Sequence, residues 1–197
     1  MHTHAQASRY ASPWSRRHRL RQLLWEVAWP LLCRWTPKPC NPWRLLVLRR
    51  FGATLHGRPF VHQRARIDHP WNLKLQHKAC LGDRAHAYCL GAVEIGPGAC
   101  VAQEAYLCTG SHDLRDPHWP LQTAPIHIGA DAFIGARAFL LPGVRVGERA
   151  IVGACAVVTR NVAAATTVVG NPARPLASTS PAPCTASLPF DVSQPSS

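Results

Sequence analysis

"IGADAFIGARAFLLPGVRVGERAIVGACAVVTR", residues 128–160, decides how this chain folds. Ile128, Ile134, Leu140, Val146, Val152 and Val158 follow one another at intervals of six, and Gly stands directly after four of them, at 129, 135, 147 and 153. Four positions after each aliphatic comes a small or β-branched residue: Ala132, Ala138, Val144, Ala150, Ala156 and Val162. A helix repeats near 3.6 residues and a strand at 2, so a strict period of six fits neither a helix nor an ordinary hairpin. It fits a coil of three short flat strands, each hexad forming one side of a triangular prism. The aliphatic points into a narrow lumen, the small residue sits at the corner, and Gly supports the tight turn. Eighteen residues then make one coil, and coils stack at roughly 4.8 Å through parallel backbone hydrogen bonds. The expected fold class is all-β, a parallel β-helix of hexapeptide repeats.

The same beat runs upstream. It reads Leu75 with Ala79, Leu81-Gly82 with Ala85, Ile95-Gly96 with Ala99, Val101-Ala102 with Ala105, and Leu107-Cys108 with Ser111. The phase slips by two residues between Val93 and Ile95. A larger break is "CTGSHDLRDPHWPLQTAP", residues 108–125, where a His stands between Ser and Asp among prolines.

Charge divides the chain in two. Of the 22 Lys and Arg, 13 lie in residues 1–66 beside a single acid, Glu26; the other 131 residues balance 9 basic against 9 acidic side chains. Five of the seven Trp (14, 25, 29, 35 and 43) also lie in this basic arm. Trp mixed with Leu and Arg points to a membrane interface rather than to nucleic acid. Leu20, Leu23, Leu24, Val27, Ala28, Leu31, Leu32 and Trp35 mark one helical face, with Pro30 expected to kink it. Glu26 and the short length argue against a membrane span. A second helix is expected from Asn41 as cap through "WRLLVLRRF" to Gly52 as stop. The arm then either lies in the membrane plane through residues 16–52 or packs on its own domain or a neighbouring subunit. Eight Cys without a C-x-x-C pair, and no secretory signal, read as reduced thiols in a cytoplasmic protein, several replacing a small apolar residue.

Residues 71–176 resemble the left-handed β-helix acyltransferases. The resemblance rests on "LCTGSHD" (107–113), the hexads of 128–160 and "VGNPAR" (169–174). "PWNL" (70–73) and "LLWEVAWPLLCRWTPKPCNPWR" (23–44) narrow it to the exopolysaccharide, colanic acid type, O-acetyltransferases. The left hand comes from the resemblance, since spacing alone would leave the usual right-handed crossover in play. The resemblance implies direct acetyl transfer from acetyl-CoA to a sugar hydroxyl of an exopolysaccharide precursor, with no metal, in a homotrimer whose active sites are shared between subunits. It implies that His112 is the general base, an imidazole suited to accept and return the hydroxyl's proton near neutral pH. Asp113 would orient the ring or cap the turn. Coenzyme A would lie along the groove between prisms, against Ala136 and Ala154, with Thr159 and Arg160 beside them. Arg174 would pair with phosphate through charge-assisted hydrogen bonds.

Departures from the family pattern are Ala177 where a second base is expected, Tyr88, Cys89 and Leu90 where acidic or amide residues stand, and Phe133 for Trp. Two other functions remain open at this stage. One is an inactive β-helix scaffold in polysaccharide assembly. The other is a metal-dependent hydratase, although His77, His86, His112, His118 and His127 show no ligand-like spacing. The expected division is an arm (1–52), a lead-in (53–74), the β-helix with its 108–125 loop (75–170), and a C-terminal segment ending in a Ser- and Pro-rich disordered tail (171–197). The expected location is the cytoplasm, peripheral on the inner face of the membrane.

Overall fold

The computed structural model describes residues 1–4 and 14–176; the Ser- and Pro-rich stretch from 177 onward, including Ala177, lies outside the described residues. The hexads form the expected prism, a parallel β-helix of five complete coils and part of a sixth. One face stacks Thr54–Leu55, Leu73–Leu75, Val93–Ile95, Ile126–Ile128 and Arg145–Val146 in register. A second stacks Phe60–Val61, Cys80–Leu81, Cys100–Val101, Phe133–Ile134, Ile151–Val152 and Thr167–Val169. The third stacks Arg66–Ile67, His86–Tyr88, Tyr106–Cys108, Phe139–Leu140 and Val157–Val158.

The strands of the prism turn the aliphatic of each hexad inward. Leu75, Ile95, Leu81, Val101, Leu107, Ile134, Leu140 and Val152 are fully buried, and so are the corner alanines 79, 85, 99, 105, 138, 150 and 156. Each lumen residue therefore meets its equivalents above and below as well as the two others of its own coil, which removes nearly all its apolar surface from water.

Gly serves a different purpose from the one its position implies. The left-handed turn residues are mostly not Gly: Lys78, Arg84, Glu104, Asp131, Arg137, Arg149, Cys155 and Ala165 all have φ between 52° and 59°. Gly129 and Gly135 have no positive φ, yet a Cβ on either would lie 2.6 Å from a backbone nitrogen of the next coil. They are small because coil rests on coil there.

The period is not uniform either. From residue 126 a coil takes eighteen residues, but Leu75 pairs with Ile95 and Leu81 with Val101, twenty apart. The two-residue slip is a corner insertion, made at 68–72 and repeated at 88–92, always between the third face and the first.

The arm closes the bottom of the prism. Helix α1 (Arg16–Leu32) starts at Ser15, whose hydroxyl accepts from the His18 N–H, and runs on through Pro30. Helix α2 (Asn41–Arg50) ends before Gly52, which has φ +95°. Asn41 does not cap α2; its amide donates to Pro59 O and accepts from Val61 N–H. Trp25 and Trp29 donate to Ile67 O and Ala65 O, and the buried Arg44 guanidinium donates to Val61 O, Pro37 O, Lys38 O and Thr36 Oγ1. Pro59 O, Val61 N–H, Val61 O, Ala65 O and Ile67 O are the groups that a coil below would otherwise pair, so the arm satisfies the open backbone end, while the bonds of Arg44 to Thr36, Pro37 and Lys38 hold the arm together. The helical face read from the sequence, Leu20, Leu23, Leu24, Val27 and Leu31, points away from the prism and stays exposed, while Trp25, Trp29 and Cys33 are buried.

Two substitutions should move stability in opposite directions. Gly135→Ala forces a methyl against the next coil's backbone and should lower unfolding free energy by about 1–3 kcal/mol. Ala165→Gly, at φ +53° on the surface, should raise it by up to about 1 kcal/mol. Denaturant titration reads both.

Candidate active site

The third and largest insertion, 108–125, leaves the prism at the same corner as the two shorter ones. A ladder of buried side chains, twenty residues apart, prepares this corner. His69 N–H donates to Cys89 Sγ, and Cys89 S–H donates back to His69 O. Thr109 Oγ1 donates to Tyr88 O at 2.6 Å and accepts from Gly91 N–H at 2.9 Å. His69, Cys89 and Thr109 are all fully buried, and burial pushes the Cys89 thiol up to about 12, so it acts as a neutral hydrogen-bonding group. The loop thus grows from a rigid base.

Beyond Thr109 the chain forms a hairpin of Gly110–His112 and Leu121–Thr123, with His112 opposite Leu121. A third strand joins it from the far N-terminus: His2–Thr3 pairs with Gln122 and Thr123, and His4 N–H donates to Leu121 O. His112 lies at the end of its strand and is exposed. Its Nδ1 is 2.7 Å from Trp119 O. A carbonyl only accepts, so Nδ1 carries the proton and Nε2 is left as the ring's basic atom. Asp113 binds elsewhere: its carboxylate accepts from Arg115 N–H at 3.0 Å and from Gln122 Nε2 at 3.1 Å. The partner of the ring is therefore the Trp119 carbonyl, while Asp113 ties the two sides of the loop together. His118 N–H donates to Asp116 Oδ1, which tightens the loop tip.

His112 borders a cavity of about 290 Å³ together with Asp68, His69, Tyr88, Leu90 and Leu121, and with Trp14 and Gln22 of the arm. Thus all three insertions and the arm meet here. Trp14 stacks on His18 at 4.3 Å, His18 meets His69 edge-on at 4.7 Å, and His69 stacks on Trp71 at 4.9 Å. His69 Nδ1 is buried with no hydrogen-bond partner. Sequence reasoning missed this wall. Its available signal was the repeat His69, Cys89, Thr109 at the point where the hexad phase slips.

The expected coenzyme residues lie apart from this cavity within one subunit. Ala136 and Ala154 stack at the corner between the second and third faces, where Cys155 N–H donates to Ala136 O at 2.9 Å. Thr159 and Arg160 are exposed at the His112 corner, on a later coil, and Arg174 is exposed on Arg174–Pro175, which pairs antiparallel with Val168 and Val169. Among the described residues no group of three or more His, Cys, Asp or Glu converges as a metal site.

Such a stack of hexads points to the class of hexapeptide-repeat transferases. The family model for bacterial transferase hexapeptide (six repeats) matches residues 125–160. Over 150 residues the chain is 35% identical to WcaF of Escherichia coli (strain K12), whose provisional name is colanic acid biosynthesis acetyltransferase. That match takes in 76% of this chain and 82% of WcaF. The fold superposes with a TM-score of 0.76 on the hexapeptide-repeat acetyltransferase VCA0836 of Vibrio cholerae O1 biovar eltor, solved with acetyl coenzyme A. Identity is 21%, covering 86% of this chain and 92% of that one. A maltose O-acetyltransferase of Clostridium difficile 630 gives 0.71 at 22% identity, covering 82% and 88%. The chain belongs to the hexapeptide-repeat acetyltransferase family, with the WcaF-like proteins, and its prism is the left-handed β-helix of that family.

Burial, with His18 adding a smaller effect, pushes the His69 imidazole down from 6.5 to about 4. Between those values the unfolded chain binds the proton and the folded one does not. Stability is therefore complete above about pH 6.5 and falls as pH drops towards 4, by about 3 kcal/mol in all. Thermal unfolding followed from pH 7 to pH 4.5 should show this loss, and His69→Leu should flatten the slope.

Proposed function

We propose that the protein transfers the acetyl group of acetyl-CoA to a sugar hydroxyl of an exopolysaccharide precursor, with His112 as general base. The observation that carries this reading is the His112–Trp119 hydrogen bond, which reserves Nε2 for a proton beside a cavity of sugar size. Nε2 takes the hydroxyl proton as the sugar oxygen attacks the thioester carbonyl. The tetrahedral intermediate collapses, the carbon–sulfur bond breaks, and the imidazolium returns the proton to the departing thiolate. Atoms balance without a covalent enzyme intermediate or a metal.

The cavity suits a sugar on physical grounds. Tyr88, Trp14 and Leu90 offer apolar faces for the C–H side of a pyranose, and Asp68 offers hydrogen bonds to its hydroxyls. Asp68 stands in for the acidic or amide residues absent at 88–90. Asp113 positions the loop through Gln122 and Arg115.

Ala136, Ala154, Thr159, Arg160 and Arg174 remain our coenzyme contacts. None of them lines the His112 cavity, which supports a homotrimer in which one subunit's turn alanines and arginines face another's His112. The WcaF likeness supports a colanic acid-like acceptor. We place the reaction in the cytoplasm, at the inner face of the membrane.

His112→Ala should lower kcat/KM for acetyl transfer by about 10²–10⁴ and leave coenzyme A binding, read by calorimetry, unchanged. Unaltered turnover removes His112 from the mechanism. Failure of the wild-type protein to bind coenzyme A would favour a scaffold role.

A further inference from the structure

Helix α1 has two apolar faces. At about 100° per residue, Trp25, Trp29 and Cys33 fall on one side and Leu20, Leu24, Val27 and Leu31 on the opposite side. The first set is buried against the prism. The second is open, with Leu20 58% and Leu31 66% exposed. A helix that needed only to close the prism would carry polar residues on its outer face. Here the outer stripe continues into two exposed indoles held in place: Trp35 donates to Leu31 O at 2.6 Å, and Trp43 donates to Leu32 O at 2.8 Å. Arg16 and Arg17 flank the stripe at its start and Arg34 at its end, all exposed.

We infer that this stripe docks the protein on an anionic phospholipid surface, with α1 lying in the plane of the headgroups. Leucines enter the acyl boundary, the indoles sit at headgroup level, and the arginines meet lipid phosphates. No described helix is long and apolar enough to cross a membrane, so the contact is peripheral. Charge argues against a second copy as the occupant. The stripe is rimmed by cations, whereas Asp68, Asp83, Glu94 and Glu104 of the prism are already bonded to His86, Arg64, Lys74 and Arg84 of their own subunit, which leaves only scattered exposed acids such as Asp131 and Glu148 to face it. An anionic leaflet supplies the missing negative charge.

The inner side of the same helix carries Gln22 into the wall of the His112 cavity. Docking by the outer stripe therefore holds that cavity about one helix diameter, roughly 10 Å, from the headgroups. The docking does not depend on acetyl transfer. The placing of an acceptor sugar carried by a lipid of that leaflet does rest on that reading.

The test is co-sedimentation of the full chain, without acetyl-CoA, with phosphatidylcholine vesicles and with vesicles that also contain phosphatidylglycerol. Binding to the mixed vesicles, weakened by salt and at least tenfold poorer on phosphatidylcholine alone, is expected. Leu20→Gln, Leu24→Gln and Leu31→Gln combined should weaken it by more than about a hundredfold, with thermal unfolding and oligomeric state unchanged. A wild-type protein that stays with the supernatant overturns the inference, and so does a triple variant that binds as well as wild type. A triple variant whose oligomeric state changes also overturns it, because the stripe is then a subunit contact. Acetyl transfer to a soluble sugar, measured alongside, fails independently if the catalytic reading is the one in error.

Discussion

Each coil of this protein must end where the next can lie directly upon it. At strand spacing, roughly 4.8 Å, there is room between stacked turns for a backbone and little else. That single restriction sets Gly at 129 and 135, where a Cβ would meet the neighbouring coil's main chain, and Ala or Val at each corner. It sets one aliphatic per side, since three inward side chains fill the lumen of a coil. It also creates the problem that the arm solves, because the first coil has nothing beneath it. Trp25, Trp29, Asn41 and Arg44 meet its open backbone groups.

A column so tightly determined leaves one place for chemistry: residues beyond the hexad, extruded at a corner. The chain extrudes them at the same corner on three successive coils. The first two insertions bring His69 and Cys89 into a buried ladder, and Thr109 extends that ladder to the base of the third. The hairpin above it aims His112 with a backbone carbonyl rather than with a carboxylate. The placing of His112 thus rests on main-chain stacking, which side-chain motion disturbs little.

The prism was legible in the sequence because period six has no other physical solution, and the 108–125 loop was legible as its interruption. The arm's two helices were legible from their apolar spacing and flanking signals. Other features were hidden for identifiable reasons. A coil of twenty looks like a phase error until the insertion is seen to recur at one corner. Asn41 has the chemistry of a helix cap but finds a better partner in the first coil. The leucines of α1 read as the helix's principal face, yet indoles on the other side do the packing. The strand His2–Thr3 carries no hydrophobic pattern, and its pairing with Gln122 and Thr123 depends wholly on where the loop hairpin ends up. The cavity wall left one trace, the twenty-residue spacing of His69, Cys89 and Thr109 where the hexad phase slips, whereas Trp14 comes from the arm, which no spacing links to that corner.

The most direct measurement is a crystal structure of the assembled protein with coenzyme A. The account predicts that the coenzyme's sulfur lies within about 4 Å of His112 Nε2, between two prisms, with phosphate oxygens against Arg160 or Arg174. Coenzyme bound on a single prism away from that corner, with His112 facing solvent, would contradict it.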